Sequence, residues 1–131
     1  MEAIHVTVRR ETKYTQAVRE IMARLRHATN LEIASELRRA YPRVSDTTVH
    51  RVTQRLSRDG ELAHAPLARD GSLRYDANID PHDHFMCVQC QSLRDMQVPQ
   101  ACRALIQHQL GGCRVNGSLT IVGNCHHCNE S

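Results

Sequence analysis

Two Cys-x-x-Cys pairs, Cys87-Val88-Gln89-Cys90 and Cys125-His126-His127-Cys128, stand 34 residues apart in a chain of 131. Each pair can present two thiolates to one tetrahedral ion, so the four together specify a structural Zn2+ site that clips the end of a small domain back onto its start. A second group precedes the first pair, in Asp80-Pro81-His82-Asp83-His84-Phe85. In an extended segment alternate side chains share a face, so His82 and His84 can both reach one ion. Cys102 and Cys113 fall outside the pairs and read as small core residues.

Composition bounds the elements that must hold these groups. Aromatic residues are 3% of the chain, with no Trp and one Phe. A single large core is therefore excluded, and the second half needs support from metal or a partner chain. No stretch approaches the roughly 20 apolar residues that span a bilayer, and MEAIHVTVRR lacks the apolar run of a secretory signal. The reading is cytoplasmic, and a reducing compartment favours cysteine as a metal ligand over a disulfide framework. The net charge of +3 is uneven: residues 1–76 carry 14 Lys/Arg against 10 Asp/Glu, and residues 77–131 carry 3 against 4. Thirteen of those 14 are Arg, the side chain that forks onto phosphates and guanine edges.

In the first half, Tyr14, Val18, Ile21, Met22 and Leu25 recur at helical spacing and predict a helix near 12–26. Thr29 or Asn30 can cap a second helix with Ile33, Ala34 and Leu37 inward, stopped by Pro42. Ser45 caps a third over 45–59, with Val49, Val52 and Leu56 inward and Gly60 just past its end. Leu62 to Leu67 and Ser72 to Tyr75 then flank Asp70-Gly71, a hairpin signal. Three helices and a hairpin in this order are a winged helix-turn-helix, whose third helix would enter the major groove. In the second half, Leu93 to Val98 and Arg114 to Val122 read as strands around a helix opening at Pro99, with an apolar stripe of Cys102, Leu105, Ile106 and Leu110 ended by Gly111-Gly112. A lone β-α-β unit leaves sheet edges open and one face bare, which predicts a homodimer. The fold class is thus α+β: a winged-helix DNA-binding domain over 1–76, a hinge over 77–81, and a small α/β dimerisation and metal-binding domain over 82–131.

At this point the chain resembles the ferric uptake regulator family over nearly its whole length. The residues that carry the resemblance are RVSDTTVHRVTQRLSRDGEL, the hinge RYDAN, HDHFMCVQC and the final CxxC. Within the family the match leans toward peroxide-sensing repressors. There, a regulatory Fe2+ or Mn2+ is held by three His and two carboxylates; the matching residues are His27, Asp76, His82, His84 and Asp95. Iron sensors of the family usually carry Glu at the last place, whereas peroxide sensors carry Asp. The resemblance implies that bound Fe2+ reacts with hydrogen peroxide and oxidises one of its own ligands, here His27 or His82, so that the metal is lost and the DNA-binding domains swing out of register. Imidazoles mixed with hard carboxylate oxygens suit either metal, while the thiolates keep zinc.

The family reading makes the chain a metal-dependent repressor and not an enzyme, a homodimer on a palindromic duplex-DNA operator. The alternative is an iron-, manganese- or zinc-responsive uptake repressor without peroxide sensing. Candidate DNA-contacting residues are Lys13, Tyr14 and Thr15 in the first helix and Ser45, Thr47, Thr48, His50, Arg51, Gln54 and Arg55 in the third. There are departures from the family pattern. His50 stands where Tyr is usual and Val18 where Arg is usual. Pro81, Cys102 and Gly117 occupy three places of a further family metal site, leaving Asp83 alone, and Gln91 replaces a common Gly without expected effect. A thiol oxidoreductase would need a Cys-x-x-Cys opening an amphipathic helix, and neither pair does so. A zinc ribbon for RNA or protein would leave His27, Asp76 and Asp95 unexplained.

Overall fold

The computed structural model describes residues 12–129. The chain divides into two compact units, Met1–Ala65 with Leu73–Ala77 and Pro66–Ser72 with Asn78–Ser131. No helix among the described residues is long and apolar enough to cross a membrane.

The first unit is built on three helices. Helix α1 spans Lys13–Leu25 and begins at Thr12, whose hydroxyl accepts from the Thr15 N–H. Helix α2 spans Asn30–Leu37, and its start is a capping box in which Thr29 and Glu32 satisfy each other's backbone N–H groups. Helix α3 spans Asp46–Arg58 from the N-cap Ser45. Val18, Met22, Ile33, Leu37, Val49 and Leu56 are at most 1% exposed and form the common core. This is the stripe expected from the spacing. Gly60 follows α3 at φ +78°, the left-handed turn that its lack of a side chain permits.

A three-stranded antiparallel sheet closes this unit, in the order β1 (His27–Thr29), β3 (Arg74–Asp76), β2 (Ala63–Ala65). The hairpin strands β2 and β3 are shorter than expected. Strand β1 lacks a sequence signature, because three residues show no period, yet it sets His27 directly opposite Asp76. Arg26, just before it, sits at φ +71° and ψ −49°, a positive-φ conformation rare for a residue with a β-carbon, and it turns the chain out of α1.

The second unit is a sheet in the order β5 (Leu93–Met96), β4 (Asp83–Cys87), β6 (Thr120–Gly123), followed by a one-turn helix α5 (His126–Asn129). Strand β4 runs antiparallel to β5 and parallel to β6. The expected strand from Arg114 survives only at its end, since Asn116-Gly117 makes a turn with Gly117 at φ +81°. Helix α4 spans Gln100–Gln109 and buries no residue within the single chain. Leu105, Ile106, Leu110, Ile121 and Val122 are all exposed. Cys102 and Cys113 are exposed as well. The expectation that they are small core residues is therefore corrected: the apolar stripe of α4 finds no partner within its own unit.

Candidate metal centres and nucleic-acid face

The four paired cysteines converge. Cys87 ends β4, and the parallel ladder pairs it with Gly123, two residues before Cys125; a further bond from the Val88 N–H to the Gly123 carbonyl extends that ladder. All four sulfurs lie within 4.8 Å of one another, with Cys90 Sγ 3.7 Å from Cys125 Sγ. Tetrahedral zinc with Zn–S bonds of about 2.3 Å sets its sulfurs roughly 3.8 Å apart, so the donor set fits that ion.

The surroundings already favour thiolate at one end of this cluster. The N–H groups of Cys90 and then Cys125 bring the Cys87 thiol down to about 6. Bonds with Ser92, its hydroxyl first, lower Cys90 also. The neighbouring sulfurs, Cys125 foremost, push Cys128 up to about 12. A divalent cation relieves that repulsion. Just past the first pair, the turn leaves Gln91 at φ +67°. The departure from Gly there is thus not without consequence. It imposes left-handed strain on a residue with a β-carbon, while Gln91 Oε1 accepts from the Arg69 N–H.

The histidines and carboxylates form two groups, one in each unit. In the first, His27 Nε2 lies 3.5 Å from Asp76 Oδ2, and Asp76 is 1% exposed. In the second, His82 Nε2 is 3.1 Å and His84 Nε2 is 3.6 Å from the same oxygen, Asp95 Oδ1. The two rings sit 4.4 Å apart, on one face of the chain as their alternation implies. His84 and Asp95 are cross-strand partners.

The ring of His82 is oriented by its other nitrogen. Nδ1 lies 2.6 Å from the Asp80 carbonyl, and since a carbonyl only accepts, Nδ1 carries the proton. In the neutral ring the Nε2 lone pair then faces a carboxylate oxygen. Such a pair is satisfied by a proton on Nε2, which makes the ring an imidazolium, or by a metal ion between the two atoms, and histidine metal ligands are commonly oriented by such a carbonyl. Ligand atoms about 2.1 Å from one ion stand roughly 3.0–3.4 Å apart, close to the separations found in each group.

Asp83 points to the other face of β4 and is fully buried. Its carboxylate accepts from the N–H groups of Leu119 and Val98, each at 2.8 Å, and from the Arg103 guanidinium. These donors, the Leu119 N–H foremost, hold its pKa below the usual carboxylate range. Arg103 escapes sequence reasoning because a single Arg on a helix reads as a solvated charge. It is instead the cation that pairs with the buried Asp83 carboxylate.

On α3, Thr47, His50, Arg51 and Gln54 are exposed, whereas Thr48 and Arg55 are half-buried. Ser45 spends its hydroxyl on the helix cap. At the head of α1, Lys13 Nζ sits 5.4 Å over the ring of Tyr14 and 5.0 Å over that of Tyr41. Thr15 departs from the expected DNA-facing set, being 1% exposed and bonded to Thr12.

Comparison with known proteins agrees with this architecture. The family model described as "Ferric uptake regulator family" matches residues 3–112, ending before the second cysteine pair. The peroxide-responsive repressor PerR of Staphylococcus aureus is 29% identical over 124 residues, covering 92% of this chain and 83% of that one. The solved structure of the Helicobacter pylori ferric uptake regulator Fur superposes with a TM-score of 0.73 at 18% identity, over 93% of this chain and 83% of that one. The Francisella tularensis regulator with iron gives 0.72 at 19% identity, over 97% and 99%. The winged helix and cysteine cluster, together with a family match over most of the length, lead to one conclusion: the chain belongs to the ferric uptake regulator family, whose members are metal-responsive DNA-binding transcription regulators and not enzymes.

Proposed function

We propose that this protein is a metal-dependent repressor that senses hydrogen peroxide. In this reading Cys87, Cys90, Cys125 and Cys128 hold a structural Zn2+. His27 and Asp76 from the first unit join His82, His84 and Asp95 from the second around one regulatory Fe2+ or Mn2+. The domains would be 1–76 and 82–131, joined by a hinge over 77–81.

The observation that carries the reading is the orientation of His82, its Nδ1–H on the Asp80 carbonyl and its Nε2 turned to Asp95. A ligand set drawn from both sides of a hinge makes ion occupancy favour one arrangement of the units. The exposed apolar face of α4 and β6 supplies a surface for a second copy. A dimer would set two α3 helices on successive major grooves, roughly 34 Å apart, of a palindromic operator. Thr47, Thr48, Arg51, Gln54 and Arg55 would contact it from α3, and Lys13 and Tyr14 from α1.

Asp95 in place of Glu, together with the likeness to PerR, favours peroxide as the signal. When bound, Fe2+ would activate hydrogen peroxide for cleavage of its O–O bond; the imidazole itself would give up the two electrons, one peroxide oxygen ending on a ring carbon and the other leaving as water. The residues His27 and His82 would receive that oxygen. The same ligand set also serves an uptake repressor for iron, manganese or zinc. Treating Fe2+-loaded and Mn2+-loaded protein with peroxide, then weighing the peptides, separates the two. A one-oxygen gain on peptides containing His27 or His82, in the iron form alone, is expected; no gain in either form leaves a plain metal sensor.

A further inference from the structure

Thr53 is fully buried on α3. Of the three acceptors its one hydroxyl proton can reach, the Val49 and His50 carbonyls at 3.2 Å and Asn30 Oδ1 at 2.7 Å, Asn30 Oδ1 is the nearest and takes the bond. The Asn30 side chain, from the first turn of α2, is thereby oriented, and its other end, Nδ2, lies 3.3 Å from Nδ1 of His50. An amide nitrogen only donates, so Nδ1 of His50 accepts and the ring proton of the neutral imidazole sits on Nε2. His50 is exposed on the face that also carries Thr47, Arg51 and Gln54.

We infer that Asn30 is a positioning residue for DNA readout: it fixes His50 in the tautomer that presents Nε2–H as a donor to the N7 acceptor of a purine in the major groove. This rests on the proposed role of α3 in DNA binding. Purines offer N7 in that groove, whereas cytosine offers only a donor there. A ring held the other way would present a lone pair and select the opposite pattern. The polarity of one buried hydroxyl is thus passed through an amide to a base contact. Its sequence signal is slight, because Asn30 reads as a helix-capping residue and Thr53 as an ordinary helix position.

The test uses the full-length, metal-loaded protein and a duplex selected by it from a random-sequence pool. Each purine is replaced in turn by its 7-deaza analogue. One position per half-site is expected to lose about fivefold in affinity with the wild type, in keeping with one hydrogen bond. At that position His50→Ala should show no loss, and Asn30→Ala a loss less than half as large. Nitrogen NMR of His50 in the free protein at alkaline pH should show Nε2 protonated and Nδ1 bare, with that distinction weakened in Asn30→Ala. If Asn30→Ala does not fold, Asn30→Asp, whose carboxylate accepts from Nδ1–H and so inverts the tautomer of the neutral ring, is read in its place by the same nitrogen NMR at alkaline pH. A proton on Nδ1 in the wild type, or equal losses in wild type and His50→Ala, overturns the inference while leaving DNA binding intact. Failure to select any duplex overturns the DNA-binding reading and the inference with it.

Discussion

His84 stands directly opposite Asp95 across the β4–β5 ladder, as His27 stands opposite Asp76 across β1–β3. Side chains of opposed residues project from the same face of an antiparallel pair. Each unit therefore holds an imidazole beside a carboxylate by backbone register, and a one-residue slip would turn either acid away.

The length of the acid at 95 should decide what is sensed. Asp95→Glu moves the carboxylate outward by one methylene while keeping its charge. Metal-dependent operator binding should survive, and oxidation by peroxide should slow severalfold. Gel shift and peptide mass measured on the same samples check both halves.

The carboxylate of Asp83 meets the Arg103 guanidinium where the β4 face is covered. Asp83→Ala leaves that guanidinium without its partner and should destabilise the second unit by about 3 kcal/mol, the low end for a broken buried pair because Arg103 retains some exposure. Arg103→Met leaves two N–H donors on Asp83 and should also destabilise. The folded pKa of Asp83 lies below its unfolded value of about 3.9. Its contribution is present in full above that value and is lost as pH falls through the lower folded one. Urea titrations of wild type and Asp83→Ala should differ at neutral pH and converge in acid.

Zinc binding should release fewer than four protons per chain. At pH 7.5, Cys87, brought down to about 6, is already largely thiolate. Cys128, pushed up to about 12, must give its proton to the solution. Calorimetric zinc titration of folded, zinc-free protein in buffers of different ionisation enthalpy counts them. Release of all four would contradict the described environment of Cys87.

Much of the fold and of the site is legible in the sequence itself. Helical spacing disclosed Val18, Met22, Ile33, Leu37, Val49 and Leu56, and they form the core. Alternation placed His82 and His84 on one face, and the cysteine spacing brought four sulfurs together. What stayed hidden lacked a period or depended on a partner far along the chain. Strand β1 is too short to show alternation. The burial of Thr15 follows from its cap with Thr12. The α4 stripe was correctly apolar, but apolarity does not say whether the covering surface is the same chain. Arg103 and Asn30 acquire roles only through Asp83 and His50, which lie 20 residues away in each case.

The central claim is that one divalent ion on His27, Asp76, His82, His84 and Asp95 controls DNA affinity. It is tested most directly by measuring operator affinity with and without Mn2+ for wild type and His82→Ala, with zinc content confirmed in both. Wild type should gain at least tenfold with Mn2+ and His82→Ala should gain nothing, since the coupling between metal and DNA sites is typically 1–3 kcal/mol. An equal gain in the two proteins would contradict the assignment.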